Sequence, residues 1–276
     1  MTSPCVSALQ NLRENHPLIH CITNYVTVND VANALLAIGA SPVMADEVDD
    51  AVAITAIANG LVLNIGTLNR RTIDAMRAAG HRASELGHPI ILDPVGAGAS
   101  PLRTETAVAL ATDLQPSVIR GNISEIKALM GAAASTQGVD AALADAIDEG
   151  HLDAAIAIAH TAASAFSTIV AITGAIDIVT DAHTTYLIRA GRREMGLITG
   201  TGCMLSGLTG AFVAANPDQP LAATASAVAT MGIAGERGWA QADGRGTGSY
   251  RVALIDALST LTPDDLAGNN IFEIRK

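Results

Sequence analysis

Lysine is nearly missing from this sequence. Its 276 residues include Lys127 and Lys276 and no others. A phosphate loop of the G-x-x-x-x-G-K-[ST] type places a lysine on the β- and γ-phosphates, and no such run exists here. The V-A-I-K and H-R-D motifs of protein kinases are absent as well. Cysteine is scarce. Cys5, Cys21 and Cys203 are odd in number and form no C-x-x-C, which excludes a disulfide scaffold and a zinc ribbon. Aromatics are 3% of the chain, so the core is expected to be built from Ala, Val, Ile and Leu, whose small side chains suit close helix-on-sheet packing. Positive charge is in deficit too. A net charge of −11 provides no basic face for nucleic acid or an anionic membrane. It does not exclude a phosphate-bearing ligand, because a few backbone N–H groups, one arginine and a metal ion bind phosphate locally. The opening "MTSPCVSALQNLRENHP" has no basic stretch leading into an apolar run, so no signal peptide is read and a cytoplasmic location is expected.

What the sequence does have is long charge-free segments. Met195–Pro217 is long enough to span a bilayer, but it contains five glycines and several Ser and Thr. Similar stretches recur at 51–69 and 154–176, each joining a helical pattern to a strand pattern. Buried α/β layers account for all three, and no membrane span is expected.

Short β-like runs alternate with Ala-rich helical runs. Strands are predicted at 17–23, 41–45, 60–67, 88–96, 116–122, 168–174, 177–181 and 184–190. Helices are predicted at 27–40, ending at Gly39, then at 47–59, 69–87, 101–114, 123–131, 151–165, about 202–215, 219–241 and 246–258. Segment 132–150 is Ala/Asp-rich and poorly periodic. The alternation predicts one α/β domain, residues 1–276, of three layers: a mostly parallel central sheet covered by helices on both faces. The last three strands are expected to be joined as hairpins.

Ligands of such sheets bind beyond the carboxyl ends of the strands. The residues there are Asn24, Met44, Gly66–Thr67, Asp93-Pro94, Arg120-Gly121-Asn122 and Thr173-Gly174. Asp93 is either a turn former before proline or a carboxylate for Mg²⁺. In "RGNISE", Asn122 and Glu125 have the spacing of a capping box, and Glu125 could also offer oxygen to a metal-bound water. Arg120 at a strand end suits phosphate. Thr173-Gly174 is an ordinary turn or a hydroxyl for a nucleotide phosphate. "GTGC", residues 200–203, lacks the third glycine of a dinucleotide fingerprint. It offers successive N–H groups at a helix start, suited to an oxyanion or a transferring phosphoryl group.

The order "DPVGAG", "RGNxSE", a strand ending in "TG", then "GTGCxLxG" resembles the ribokinase-like superfamily. Together with "HCITNYVTVNDVANALLAIGASPVMA" near the start, it is similar to the hydroxyethylthiazole kinases, over residues 10 to 240 or so. The resemblance implies phosphorylation of the primary alcohol of 4-methyl-5-(2-hydroxyethyl)thiazole by ATP with Mg²⁺, for thiamine salvage. By the same resemblance Arg120 and Thr173, with Asn122 beside them, match nucleotide-binding positions. Met44 and Gly200 match thiazole-binding positions, Asn24 and Val26 lie in the block lining that pocket, and Asp93 and Glu125 are the metal-side carboxylates. Gly200, Thr201 and Gly202 would hold the moving phosphoryl, and Cys203 stands where relatives carry a catalytic Asp. A homotrimer is implied, with sites near subunit boundaries and "NIGT" (64–67, with Gly66 and Thr67) as the segment a neighbour contributes. Cys203 is expected to be a base or alcohol-positioning group, or else a small buried pocket residue. A covalent nucleophile would give a phosphocysteine that nothing else in the sequence requires. The competing functions are a hydroxymethylpyrimidine-type alcohol kinase, a cysteine hydrolase, for which no local motif supplies a histidine, and a non-catalytic thiazole-binding protein.

Overall fold

The structure is a computed structural model and describes residues 4–133, 147, 149–268 and 271–276. Among the described residues nine strands form one sheet: β1 (Leu18–Ile22), β2 (Ser41–Val43), β3 (Gly60–Asn64), β4 (Ile90–Asp93), β5 (Val118–Asn122), β6 (Ile169–Thr173), β7 (Asp177–Thr180), β8 (Thr185–Ile188) and β9 (Phe272–Arg275). Their spatial order is β2-β1-β3-β4-β5-β6-β7-β8-β9. The first six pair in parallel. The remaining strands continue antiparallel, with β6–β7–β8 running as hairpins as expected. β3 and β4 are buried along their whole length, which is why both read as apolar runs without alternation.

The helices are α1 (Pro4–Asn15), α2 (Val28–Ile38), α3 (Val48–Ile57), α4 (Arg70–Leu86), α5 (Pro101–Leu114), α6 (Ile123–Ala133), α7 (Leu152–Phe166), α8 (Thr201–Ala215), α9 (Pro220–Ala242) and α10 (Thr247–Thr260). Two separate apolar clusters fill the space on either side of the sheet. One joins α1, α2, α8, α9 and α10, around Phe212 and Tyr250. The other joins α4 to α7, around Met76 and Leu110. The three-layer α/β reading therefore holds.

The connection from β1 passes through α2 to β2 on one side, whereas β3 and the following strands build outward on the other. The switch point between β1 and β3 opens a crevice at their carboxyl ends, the expected place for a ligand. α8 packs across this crevice with its first turn at the strand ends.

Some expectations need correction. β2 stops at Val43, so Met44 follows the strand instead of lying in it. α6 runs through Gly131 to Ala133, so that glycine does not end the helix. α1 and β9 were not expected. The predicted irregular stretch 132–150 lies mostly outside the described residues. Among the described residues no helix is long and apolar enough to cross a membrane.

Candidate functional site

The register of the sheet assembles the site. Asn64 and Asp93, the last residues of β3 and β4, are direct partners, as are Asn122 and Thr173, which end β5 and β6. Polar groups that are far apart in the chain therefore line up along one rim. Asp93 is fully buried. Its Oδ2 accepts from Ser206 Oγ at 2.7 Å and from Asn64 Nδ2 at 2.8 Å, and it lies 3.6 Å from Arg120 Nη1. Its Oδ1 is buried and has no hydrogen-bond partner among the described residues. Burial pushes the Asp93 carboxyl up to about 6, outweighing the pull of Arg120 and the Ser206 bond; nearby Glu125 adds to the rise.

Arg120 is nearly buried and projects from β5 between the strand ends and α8. Its Nη2 donates to Thr173 Oγ1 at 3.0 Å. Asn122 and Glu125 form the expected capping box. The Glu125 N–H donates to Asn122 Oδ1, and Asn122 N donates to Glu125 Oε2, both at 2.9 Å. Glu125 Oε1 accepts from Gly96 N at 2.8 Å, tying the start of α6 to the "DPVGAG" loop.

The first turn of α8 is shaped for an anion. Gly200 takes φ +89°, where a side chain is strained, and no side chain caps the helix there. At Gly202 a Cβ would fall 2.8 Å from Arg120 Nη1, so only glycine lets the guanidinium lie against the helix start. Cys203 Sγ accepts from Asn24 Nδ2 at 3.0 Å and from Asn64 Nδ2 at 3.2 Å, while Thr27 Oγ1 holds Asn24 Oδ1 at 3.0 Å.

Two cavities meet here. The first, about 430 Å³, is lined by Asn24, Val26, Gly66, Thr67, Asp93, Asn122, Glu125, Gly200 and Cys203. The second, about 510 Å³, is lined by Thr201, Asp177, Arg193, Leu205 and Met231 among others. Arg120, Thr173 and Gly202 border both. Each is of the size that holds a small molecule. A larger groove of about 1020 Å³ lies at the opposite end of the sheet, beside Pro89, Ser117 and Thr168, and takes in none of the predicted residues.

The structure thus brings together every predicted site residue except Met44. That side chain packs, partly buried, against the core and lines neither cavity. Gly66 and Thr67 line the cavity of their own chain, with Thr67 Oγ1 accepting from Tyr25 N at 3.3 Å. Sequence reasoning missed Ser206 and Asp177, and had Asn64 only as the first residue of the 64–67 segment expected to serve a neighbour. Asp177 accepts from Gly174 N at 2.9 Å, and burial pushes its carboxyl up to about 7 at the wall of the second cavity. Asn64 carried a legible signal, a polar residue ending an otherwise apolar strand. Ser206 shows only as a small polar residue one turn beyond Cys203.

Arg103, on α5, clamps the rim from outside. Its Nη1 donates to the carbonyls of Val95 at 2.7 Å and Ile65 at 3.2 Å, and its Nη2 to that of Gly66 at 2.7 Å. Replacing it with methionine leaves these carbonyls unpaired and frees the Gly66–Thr67 loop. The expected result is an affinity for the small molecule of the first cavity lowered about tenfold, as one or two such bonds are worth. Titration of that molecule checks this, and an unchanged affinity would show that Arg103 does not shape the site.

A parallel sheet between helix layers, with adjoining cavities past its carboxyl edge, makes the chain an α/β protein of the kind that binds small molecules at the strand ends. A solved ribokinase-like superfamily protein from Enterococcus faecalis shares this fold at 13% identity, with a TM-score of 0.59 over 91% of this chain and 87% of that one. Residues 9–264 match the model of the hydroxyethylthiazole kinase family, and the chain belongs to that family. It is 50% identical to the hydroxyethylthiazole kinase of Clostridium acetobutylicum, over 94% of this chain and 95% of the relative. It is also similar to the solved hydroxyethylthiazole kinase protein of Pyrococcus horikoshii, at 39% identity and a TM-score of 0.86 over 98% of both chains.

Proposed function

We propose that this protein transfers the γ-phosphoryl group of ATP to the primary alcohol of hydroxyethylthiazole, giving the thiazole phosphate for thiamine salvage. The observation that carries the reading is the shared wall of Arg120, Thr173 and Gly202 between the two cavities. A nucleotide in the larger cavity would present its terminal phosphate at that wall to an alcohol held in the smaller one. Membership of the family supports the choice of substrate.

The residues divide the work as follows. Arg120 and Thr173 hold phosphate oxygens, and the free N–H groups of Gly200–Cys203 cradle the phosphoryl group as it moves. Asn24, Val26, Gly66 and Thr67 enclose the heterocycle. Asp93, with its unpartnered Oδ1, and Glu125 fit Mg²⁺ through oxygen ligands. Among the described residues no group of three or more His, Cys, Asp or Glu forms a cage. That suits an ion that keeps waters and phosphate oxygens in its shell. When bound, the ion would neutralise charge on the phosphate oxygens. The transition state is loose, so positioning and charge stabilisation matter more than removal of the alcohol proton. Cys203 Sγ orients the hydroxyl, and as the new O–P bond forms and the bond to ADP breaks, the hydroxyl proton passes to a phosphate oxygen or to water.

The assembly is proposed as a homotrimer. Tyr25 is 77% exposed and Val26 59% at the mouth of the acceptor cavity, which leaves apolar surface for a neighbour to cover. Met44, outside its own chain's cavity, would reach the site of a neighbour. A cytoplasmic location fits ATP as the donor.

Cys203→Ala is expected to keep measurable turnover, reduced on the order of tenfold to a hundredfold, since base help contributes little to a loose transition state. Cys203→Asp is expected to remain active. Complete loss in a folded Cys203→Ala protein would overturn the assigned role. The function itself is tested by ADP release with a panel of alcohols. Turnover with the thiazole alcohol and little with hydroxymethylpyrimidine is expected, and the reverse preference would overturn the substrate.

A further inference from the structure

We infer that Asn64 is the positioning residue that locks the acceptor side of the site to its metal side. The inference rests on the acceptor cavity proposed above. Asn64 is 1% exposed and lines neither cavity, so it touches no substrate and acts through others. Its amide orientation is fixed by chemistry. The backbone N–H of Gly66 can only donate, and it lies 2.9 Å from Asn64 Oδ1. The same oxygen accepts from Asn24 Nδ2 at 3.2 Å. The amide nitrogen must then face the other way, and its two protons go to Asp93 Oδ2 at 2.8 Å and Cys203 Sγ at 3.2 Å. All four hydrogen-bonding positions of the side chain are used.

Two consequences follow for the groups it holds. Asp93 Oδ2 accepts from both Asn64 and Ser206, which stops rotation of the carboxylate and commits Oδ1 to be the oxygen left without a partner. Cys203 Sγ accepts N–H groups from both Asn24 and Asn64, so its own remaining hydrogen-bonding direction is left for the alcohol. A single side chain thus sets the angle between the oxygen that would face the cation and the sulfur that would face the hydroxyl. Arg120 and Thr173, which contact the nucleotide cavity, are not among its partners. Its loss should therefore affect the transfer step and the acceptor, and leave nucleotide binding nearly intact.

The test is a double-mutant cycle on Asn64→Ala and Cys203→Ala, with wild-type turnover of the thiazole alcohol measured first. If the wild type has no kinase activity, the functional reading fails, and this inference with it. If it is active, Asn64→Ala is expected to lower kcat on the order of tenfold to a hundredfold, as loss of a bond to a charged group does, with the KM for ATP changed less than about twofold. In the Cys203→Ala background the same substitution should cost clearly less, since half of what it positions is gone. Wild-type kcat in folded Asn64→Ala, or an equal loss in both backgrounds, would overturn the assignment while leaving the functional reading standing. Iodoacetamide labelling separates positioning from general loosening. Cys5 and Cys21 are buried and line neither cavity, so they should stay unlabelled in Asn64→Ala, and labelling of all three cysteines would mark a merely structural role. If Asn64→Ala does not fold, Asn64→Ser, which keeps a shorter donor, carries the same comparison.

Discussion

Replacing Asp93 by asparagine is expected to cut turnover severely and at the same time make the ligand-free protein more resistant to heat. The carboxylate is fully buried, and its Oδ1 has no hydrogen-bond partner. Burial raises it from 3.8 to about 6 in the folded chain. A carboxyl raised on folding contributes stability below its ordinary value and loses it as pH rises through about 6. At neutral pH the ionised Asp93 is therefore a net cost to the empty protein. Asparagine keeps an oxygen for Ser206 and Asn64 and removes the charge. The rise of about two units corresponds to at most about 3 kcal/mol, or several degrees in Tm for a chain of this size. Turnover should fall by a factor on the order of 10² to 10³, as when a charge-stabilising group is removed from a transition state. Melting curves at pH 7.5 and pH 4.5 check the stability half. The gain should be full at the first and cut to about a third at the second. An equal gain at both, or an Asp93→Asn enzyme as active as the wild type, would contradict the assignment.

Gly202→Ala is expected to separate function from stability in the same direction. The new Cβ would lie 2.8 Å from Arg120 Nη1 and 3.0 Å from Nη2. Arg120 is held by Thr173 and faces Asp93, so it has to give up these contacts to make room. The residue is in the first turn of α8, where alanine is a better helix former than glycine by up to about 1 kcal/mol. The expected result is an unchanged or slightly raised Tm with kcat/KM for ATP lowered on the order of tenfold to a hundredfold, the value of a charge-assisted phosphate contact. Gly200→Ala should differ. Its φ of +89° and a Cβ only 2.6 Å from Thr27 Cγ2 make it a folding defect as well. If Gly202→Ala melts early and Gly200→Ala does not, the geometry assigned to the two glycines is wrong.

Much of the site could be read before the structure because its residues are punctuation. Asp93 and Thr173 each end an apolar strand, Asn122 ends one that carries Arg120, and a parallel sheet gathers such ends on one rim. The capping box at Asn122 and Glu125 is a local pattern and was found as one. What escaped was what depends on register and on other layers. The pairing of Asn64 with Asp93 places two strand ends side by side, and no local pattern reveals which strands are neighbours. Ser206 matters because α8 crosses those ends, a tertiary fact. Met44 enters the site as a thiazole-binding residue only through the family resemblance, inside a strand expected over 41–45. β2 is an edge strand of three residues, however, and Met44 just beyond it lines neither cavity of its own chain. α1 buries Cys5, Ala8, Leu9 and Leu12 at helical spacing, a legible pattern that was passed over. β9 pairs with β8 from the far end of the chain, which short apolar alternation alone does not announce.

The most direct test of the account is the mass of the product formed when the wild-type protein is incubated with hydroxyethylthiazole, ATP and Mg²⁺. The thiazole alcohol should gain one phosphoryl group for each ADP released, and Asp93→Asn should form both products more slowly by a factor on the order of 10² to 10³. ADP released without phosphorylated thiazole, or thiazole bound with no ADP formed at all, would contradict it.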